Sequence, residues 1–242
     1  MNGDNDVFRR VEQKYLLDPC QREALEEEMA QHIKPDSYGL QTIASVYYDS
    51  PDFALIRQSL DKPVYKEKLR LRSYGRAEPD SGVYVEIKKK YKGVVSKRRV
   101  QMRLREAELF LRTGLIRCPV SQVHREIDYF RQIHRVEPRA YIAYERAAWA
   151  GAKEGGLRVT FDIAIRGRDM DLSLDGPLEG ALILPEGLVL MEVKTLGAMP
   201  LWLASTLSEL AVYPASFSKY GSWDQQRLAR EGLKQGGFIH VA

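Results

Sequence analysis

Residues 66–105 hold three consecutive segments in which a charged side chain recurs at every second position. Successive side chains of a β-strand point to opposite faces, so this period predicts three neighbouring strands, each with one cationic face. The charged positions are Lys68, Arg70 and Arg72, then Glu86, Lys88 and Lys90, then Lys97, Arg99 and Arg103. Crowded cations repel one another, so such a face either meets water or holds an anion.

The same period continues in five further predicted strands, at residues 8–17, 42–49, 140–149, 157–166 and 188–195. Helices are predicted between them, at residues 19–32, 53–60, 106–113, 121–134 and 200–210. We therefore expect an α+β fold with an eight-stranded antiparallel sheet. In the last strand, Glu192 and Lys194 interrupt the most apolar segment of the chain, where charges need partners. A closed barrel with a polar, cationic lumen would supply those partners better than an open sheet with one solvent-exposed face.

Composition adds limits on class and location. The chain has 242 residues, a formal charge of +4 and no linker that marks a domain boundary, so we expect one domain over residues 1–242, with a core at 8–222 and a tail at 223–242. Cys20 and Cys118 match no metal-site spacing and are predicted to be reduced thiols. We see no signal peptide and no membrane span, and expect a cytoplasmic protein. The charge is too modest, and the aromatic pattern too weak, for a specific nucleic-acid binder.

Nine short motifs occur in order and together resemble the VTC domain, the catalytic module of the vacuolar transporter chaperone polyphosphate polymerases. That module is one of the triphosphate tunnel metalloenzymes, related to the CYTH group, and the resemblance covers roughly residues 8–222. Each motif alone is weak, whereas nine in this order are specific. The motifs are RxExKYxL (10–17), SxYYD (45–49), RxRxYG (70–75), VExKxKxxG (85–93), KxR (97–99), ERxAW (145–149), RVTFD (158–162), MEVKT (191–195) and FSKYG (217–221).

The resemblance implies an eight-stranded tunnel that binds triphosphate or polyphosphate, uses Mn²⁺ or Mg²⁺, and transfers the γ-phosphate of ATP onto a growing polyphosphate chain. The residues it implies as catalytic are Arg70, Arg72, Lys88, Arg146, Arg158 and Lys194. Those it implies as further phosphate-binding groups are Arg10, Lys14, Lys97, Arg99 and Lys219. The carboxylates it brings in are Glu192 as metal ligand, with Glu12, Glu86 and Asp162 as supporting groups.

The residue types suit this chemistry, although simpler roles stay open for several of them. Arginine contacts phosphate with two parallel hydrogen bonds and lysine supplies a point charge. No Walker motif is present, and the four histidines match no metal spacing. Glu192 is either a metal ligand or an ion-pair partner, and Glu12, Glu86 and Asp162 are metal contacts or internal counter-charges. The residues with the plainest alternatives are Tyr74 and Tyr144, which pack or donate to phosphate, and Lys90, Arg98 and Arg103, which we expect in water.

Two departures from the family bear on activity. Tunnel triphosphatases begin with ExExK, whereas here the first carboxylate is replaced by Arg10 and only Glu12 remains. This replacement favours polymerisation over two-metal hydrolysis. The SPX domain and membrane helices of the fungal module are also missing, so regulation and anchoring would need other chains, including a separate membrane protein that would hold the chain at the inner face of a membrane. A tripolyphosphatase or nucleoside triphosphatase, and a non-catalytic phosphate-chain or nucleotide-binding module, are the competing functions.

Overall fold

The computed structural model describes residues 10–92, 94–117, 119–151 and 156–236; for Arg10 and residues 233–236 the backbone alone is described. Cys118 lies outside the described residues, and Cys20 is an exposed free thiol. This part of the chain contains ten strands and six helices. The strands are β1 (Arg10–Leu17), β2 (Lys34–Pro35), β3 (Gln41–Asp49), β4 (Tyr65–Tyr74), β5 (Gly82–Tyr91), β6 (Val94–Arg103), β7 (Glu137–Ala150), β8 (Arg158–Arg168), β9 (Ala181–Leu182) and β10 (Val189–Leu196).

The helices lie between the strands and at the C-terminal end of the described chain. They are α1 (Pro19–His32), α2 (Ala54–Leu60), α3 (Leu104–Thr113), α4 (Gln122–His134), α5 (Leu201–Glu209) and α6 (Lys219–Gly236). α1 begins as predicted, because the side chain of Asp18 accepts from the backbone N–H of Gln21 and Pro19 occupies the first turn. Among the described residues, no helix is both long and apolar enough to cross a membrane.

Eight long strands are hydrogen-bonded in the order β1-β10-β8-β7-β3-β4-β5-β6, while β2 pairs with β7 and β9 with β8. The pairs β1–β10, β10–β8, β3–β4, β4–β5 and β5–β6 are antiparallel. This confirms the predicted α+β fold with an eight-stranded antiparallel sheet and peripheral helices.

The chain divides into two compact units, each assembled from three stretches of sequence. The first comprises the described parts of Met1–Gln41, Tyr144–Ala164 and Leu184–Phe217, and the second those of Thr42–Ala143, Ile165–Ile183 and Ser218–Ala242. β7 and β8 each run through both units. The expectation of one domain over residues 1–242 stays a prediction.

In the first unit, one face of the strands carries the apolar core. Tyr15 and Leu17 of β1, Val159 and Phe161 of β8, and Val189, Met191 and Val193 of β10 are buried together with Leu25 and Met29 of α1 and Leu203 and Leu207 of α5. The alternate positions of the same strands include Lys14, Glu192 and Lys194. The period of two therefore separates the core from a charged face in this unit.

In the second unit the same separation is made by β3 to β6. Leu69 and Leu71 of β4 and Val85 and Ile87 of β5 are buried in a core with Phe110 of α3, and with Ile127 and Phe130 of α4. Arg70, Glu86 and Arg99 fall at the alternate positions and share the opposite face. The helices thus cover the apolar face and leave the charged face for another role.

The structure corrects several predicted boundaries and adds two short strands. α3 begins at Leu104 rather than at 106, because it follows directly on β6, and β7 runs from Glu137 to Ala150 rather than over 140–149. β8 reaches Arg168, two residues beyond the predicted end, and α6 begins at Lys219, inside the FSKYG motif. The two-residue strands β2 and β9 had no periodic signal.

Candidate functional site

A buried glutamate organises the cations of the second unit. Glu86 lies on β5 with a residue exposure of 1%, directly between Arg70 of β4 and Arg99 of β6 in the strand register. Arg70 contacts Glu86 Oε2 through Nε and Nη2, both at 2.7 Å, and Lys97 Nζ lies 2.6 Å from Oε1. Arg72 and Arg99 approach the same carboxylate at 3.8 and 3.9 Å. We call these five residues the Glu86 cluster. Its four cations share one counter-charge.

The pKa values of Glu86 and Lys97 reflect the shared carboxylate. Burial alone would raise the pKa of Glu86, but the charges of Arg70, Arg72 and Lys97 lower the pKa to about 2. Lys97 keeps a large exposed fraction, 41% of its side chain, and its pKa is nevertheless lowered to about 8. Loss of hydration lowers it, Glu86 opposes this, and the neighbouring Arg70 and Arg72 lower it further. The cluster therefore carries excess positive charge even with its carboxylate ionised.

A row of lysines adjoins the Glu86 cluster on the same face. Lys68 of β4 is the register partner of Lys88 of β5, which is the partner of Lys97 of β6. Like charges directly opposite each other in a sheet are destabilising. The row therefore concentrates three positive charges along one line of this face, where nearby anionic groups are stabilising.

Three polar side chains that the sequence had not suggested as site residues join this face. Tyr47 and Ser45 of β3 stand opposite Arg70 and Arg72 in the register. The Tyr47 hydroxyl accepts from Arg70 Nη1 at 3.2 Å, and Ser45 Oγ accepts from Arg72 Nε at 3.3 Å. Ser218, just before α6, accepts from Lys68 Nζ at 3.1 Å. Burial would raise the pKa of Tyr47, yet Arg70, Arg72 and Lys68 lower it to about 8.

The first unit carries a second group of charges, in which the numbers of cations and carboxylates are closer to equal. Glu192 of β10 is buried, and its carboxylate oxygens lie 3.7 Å from Lys14 Nζ of β1, from Arg146 Nη2 of β7 and from Lys194 Nζ. Asp162 of β8, fully buried, accepts from Arg146 Nε at 2.6 Å and from Nη2 at 2.7 Å. We call these five residues the Glu192 cluster. Its three cations face two carboxylates.

Other predicted residues lie around the Glu192 cluster. Glu12 of β1 is the register partner of Lys194, and their charged atoms are 3.7 Å apart. Arg158 of β8 is also a partner of Lys194, but half of its side chain is exposed and Nη2 binds Asp36 at 3.0 Å. Arg10 begins β1, and its side chain lies outside the described part of the structure.

In the second unit, Lys219 is the first residue of α6 and is buried. Arg98 lies near water as expected, with an ion pair to Glu126 at 2.9 Å, and Arg103 pairs with Asp80 at the surface. Lys90 is exposed. The roles of the predicted site residues stay predictions, while their grouping into the Glu86 and Glu192 clusters is a feature of the structure.

The carboxylates of the Glu192 cluster are the candidate ligands for a divalent cation. The described residues contain no group of three His, Cys, Asp or Glu side chains that could hold a metal ion. Glu192 has Thr160 as its register partner on β8, and the buried Thr160 Oγ1 lacks a hydrogen-bond partner among the described residues. Mg²⁺ and Mn²⁺ accept one protein carboxylate when waters and substrate phosphates complete the octahedron. The donor set fits a cation shared with a bound phosphate and does not fit one held by the protein alone.

Two solved structures share the fold of this chain at low sequence identity. A candidate adenylyl cyclase from Hippeastrum, described as having a dominant triphosphatase activity, aligns with a TM-score of 0.54 and 13% identity over 90% of this chain and 96% of its own. A candidate adenylate cyclase from Bacillus halodurans aligns with a TM-score of 0.53 and 14% identity over 86% and 93%. These likenesses support the tunnel fold that the motifs implied.

Sequence comparison identifies the family. No curated protein sequence matches the chain at a significant level. A family model does match, over residues 9–223, and it is that of the VTC domain. The match includes all nine motifs and the residues of both clusters. The chain therefore belongs to the VTC domain family.

Proposed function

We propose that this protein is a metal-dependent phosphoryl-transfer enzyme that binds a phosphate chain and extends it with the γ-phosphate of ATP. The observation that carries the proposal is the concentration of cations around one carboxylate on the charged face of the second unit. Arg70, Arg72, Lys97 and Arg99 surround Glu86, and Lys68 and Lys88 extend from Lys97 in a row of three lysines. A polyanion with about one charge per phosphate suits such a face better than a single small anion does.

The chain's own residues would act mainly by positioning phosphate and neutralising its charge. Phosphoryl transfer needs little covalent help from a protein, because most of the catalysis comes from alignment and electrostatic stabilisation. Glu86 holds the guanidinium of Arg70 through two contacts of 2.7 Å, so this group is oriented before a phosphate binds. Asp162 holds Arg146 in the same way in the first unit. Preoriented arginines lose little freedom on binding and favour one phosphate geometry.

Glu192 is the residue that would hold Mg²⁺ or Mn²⁺, together with substrate oxygens, and Thr160 would contact a water of that cation. The chemistry that such a cation supplies is polarisation of the transferred phosphoryl group. Lys14, Arg146 and Lys194 lie 3.7 Å from the Glu192 carboxylate. Their positive charges partly offset the negative charge of this carboxylate.

A triphosphatase acting on tripolyphosphate or nucleoside triphosphates is the second candidate. The Hippeastrum structure of the same fold is described as having a dominant triphosphatase activity. Against this candidate stands Arg10, which replaces the first carboxylate of the ExExK pattern and leaves Glu12 as the only acidic residue of that segment. The cytoplasmic location and the separate membrane protein as a partner stay predictions.

A product assay separates the candidates. The protein is incubated with ATP and either Mn²⁺ or Mg²⁺, with and without a short polyphosphate primer, and the products are resolved by gel electrophoresis and by orthophosphate release. Polymerisation gives long polyphosphate chains, whereas hydrolysis gives orthophosphate alone. Tight binding of tripolyphosphate without any turnover, unaffected by chelator or by Glu192→Ala, would identify a binding module and overturn the enzyme proposal. Glu186→Ala, at an exposed glutamate of the first unit, is the control for a simple loss of negative charge.

A further inference from the structure

Asp49 ties together three segments at one end of the charged face of the second unit. It is the last residue of β3 and is completely buried. Its Oδ1 accepts from the backbone N–H of Leu55 at 2.9 Å, and its Oδ2 accepts from that of Ile56 at 3.0 Å, both in the first turn of α2. Oδ2 also accepts from the hydroxyl of Tyr220 at 2.9 Å. One carboxylate thus holds β3, α2 and the beginning of α6.

Tyr220 extends this connection to the Glu86 cluster. Its ring stacks on that of Tyr47, with centroids 4.7 Å apart and planes inclined by 20°. The Tyr47 hydroxyl accepts from Arg70, which is bound to Glu86. A path of three direct contacts therefore runs from Asp49 through Tyr220 and Tyr47 to Arg70.

The beginning of α6 also carries a contact to the lysine row. Ser218 Oγ accepts from Gly221 N at 3.2 Å, which caps the first turn, and from Lys68 Nζ at 3.1 Å. A Cβ on Gly221 would lie 2.9 Å from Leu60 Cδ2, so the glycine permits the close approach of this turn to α2. The position of Ser218, and with it that of the Lys68 ammonium group, depends on where the first turn of α6 is held.

We propose that Asp49 is a positioning residue, which through the Tyr220 hydroxyl holds the first turn of α6 so that Ser218 fixes Lys68. This positioning role rests on the proposed function in one respect only, namely that phosphate chains bind more weakly when the contact between Asp49 and Tyr220 is lost. It gives a role to Asp49 and Tyr220, the terminal residue of the SxYYD motif and the tyrosine of FSKYG, neither of which is a phosphate-binding group itself.

A carboxylate is the side chain that this position requires. Five groups donate to Asp49: the backbone N–H groups of Ser50, Leu55 and Ile56 and the hydroxyls of Ser50 and Tyr220. Burial raises the pKa of Asp49, and the hydrogen bonds from Tyr220 and from the three backbone N–H groups act in the opposite direction. An amide in the same place would turn an NH₂ group toward N–H or O–H donors, leaving donors unsatisfied. Asp49→Asn is therefore expected to disturb the fold of this region.

Tyr220→Phe is the sharper test, since it removes one hydroxyl and keeps the stacked ring. Its control is Tyr129→Phe at an exposed tyrosine of α4. The first readout needs no ligand: the lysines are reductively methylated with ¹³C, and the methyl resonance of Lys68 is followed by NMR with that of Lys34 as reference. The second is tripolyphosphate affinity by calorimetry, for Tyr220→Phe alone and combined with Lys68→Gln.

We expect Tyr220→Phe to move the Lys68 resonance and leave that of Lys34 in place. We also expect it to weaken tripolyphosphate binding roughly tenfold, the scale of one lost hydrogen bond to a charged group. In the Lys68→Gln background the same change should cost less than about threefold, because its effect passes through Lys68. An unchanged Lys68 resonance, or the full tenfold loss in both backgrounds, would overturn the positioning role. If wild type binds no tripolyphosphate but the Lys68 resonance still moves, the proposed function fails and the positioning role stands.

Discussion

The carboxylate of Glu86 is expected to contribute substantially to folding as the shared counter-charge of four cations. Its folded pKa of about 2 lies below the ordinary 4.5. At roughly 1.4 kcal/mol per pH unit this difference corresponds to about 3 kcal/mol of stabilisation at neutral pH. Glu86→Gln keeps the shape of the side chain and loses this contribution. For a chain of this size we expect the melting temperature to fall by about 6–12 °C.

The pH dependence has a definite sign. A carboxyl group whose folded pKa is lowered stabilises the protein above its unfolded pKa, and loses that contribution as the pH falls toward the folded pKa. The difference in unfolding free energy between wild type and Glu86→Gln should shrink as the pH falls from about 4.5 toward 2. Urea denaturation at pH 7, 5, 4 and 3 measures it.

Phosphate should partly replace the missing charge. Glu86→Gln removes the carboxylate charge that the four cations share, so added tripolyphosphate should raise the melting temperature of the variant more than that of wild type. Glu78→Gln, at an exposed position in the same unit, is the matched control and should behave as wild type. Equal stability of Glu86→Gln and wild type at pH 7, or a difference that does not shrink toward pH 3, would refute the reasoning.

Three further predictions follow from the two clusters. Arg70→Ala should abolish turnover while the chain stays folded by circular dichroism. Arg158→Ala, at a half-exposed side chain, should also abolish turnover, with no loss of melting temperature. Full activity in either variant would exclude that residue from the site. At pH 9 the protein should take up protons when it binds tripolyphosphate, because the bound anion raises the lowered pKa values of Lys97 and Tyr47. Calorimetry in two buffers of different ionisation enthalpy should show less proton uptake in Lys97→Met and in Tyr47→Phe. Equal proton uptake in both variants and wild type would contradict this prediction. Asp162→Asn should lower stability by about 3 kcal/mol, since it removes the buried carboxylate that binds Arg146 most closely, and a change below about 1 kcal/mol in urea denaturation would refute it.

The period of two in the sequence was enough to place the charged faces correctly. Arg70, Glu86 and Arg99 were expected on one face of three neighbouring strands, and the register sets them side by side. Such a prediction works because the alternation of side chains in a strand is fixed by backbone geometry. The start of α1 after Asp18 was also predictable, because helix capping depends on residues within four positions of one another in the sequence.

Contacts between distant segments could not be read in this way. Tyr47 and Tyr48 are adjacent and alike in sequence, yet Tyr47 joins Arg70 on the charged face while Tyr48 is buried in the core. The partner of Arg158 is Asp36, which lies 122 positions earlier in the chain. Ser218 meets Lys68 from 150 positions away. Side chains this far apart are brought together by the register and the helix packing, neither of which has a local sequence signal.

The interleaving of the two units bears on how this protein could have been inherited and how it could be divided. The chain passes from one unit to the other at 41/42, 143/144, 164/165, 183/184 and 217/218. No single cut in the gene releases either unit, and a recombination event at one boundary would leave both incomplete. Each cluster draws its side chains from a unit built of separate stretches, so a mutation that shifts one stretch reaches a site far from it in sequence.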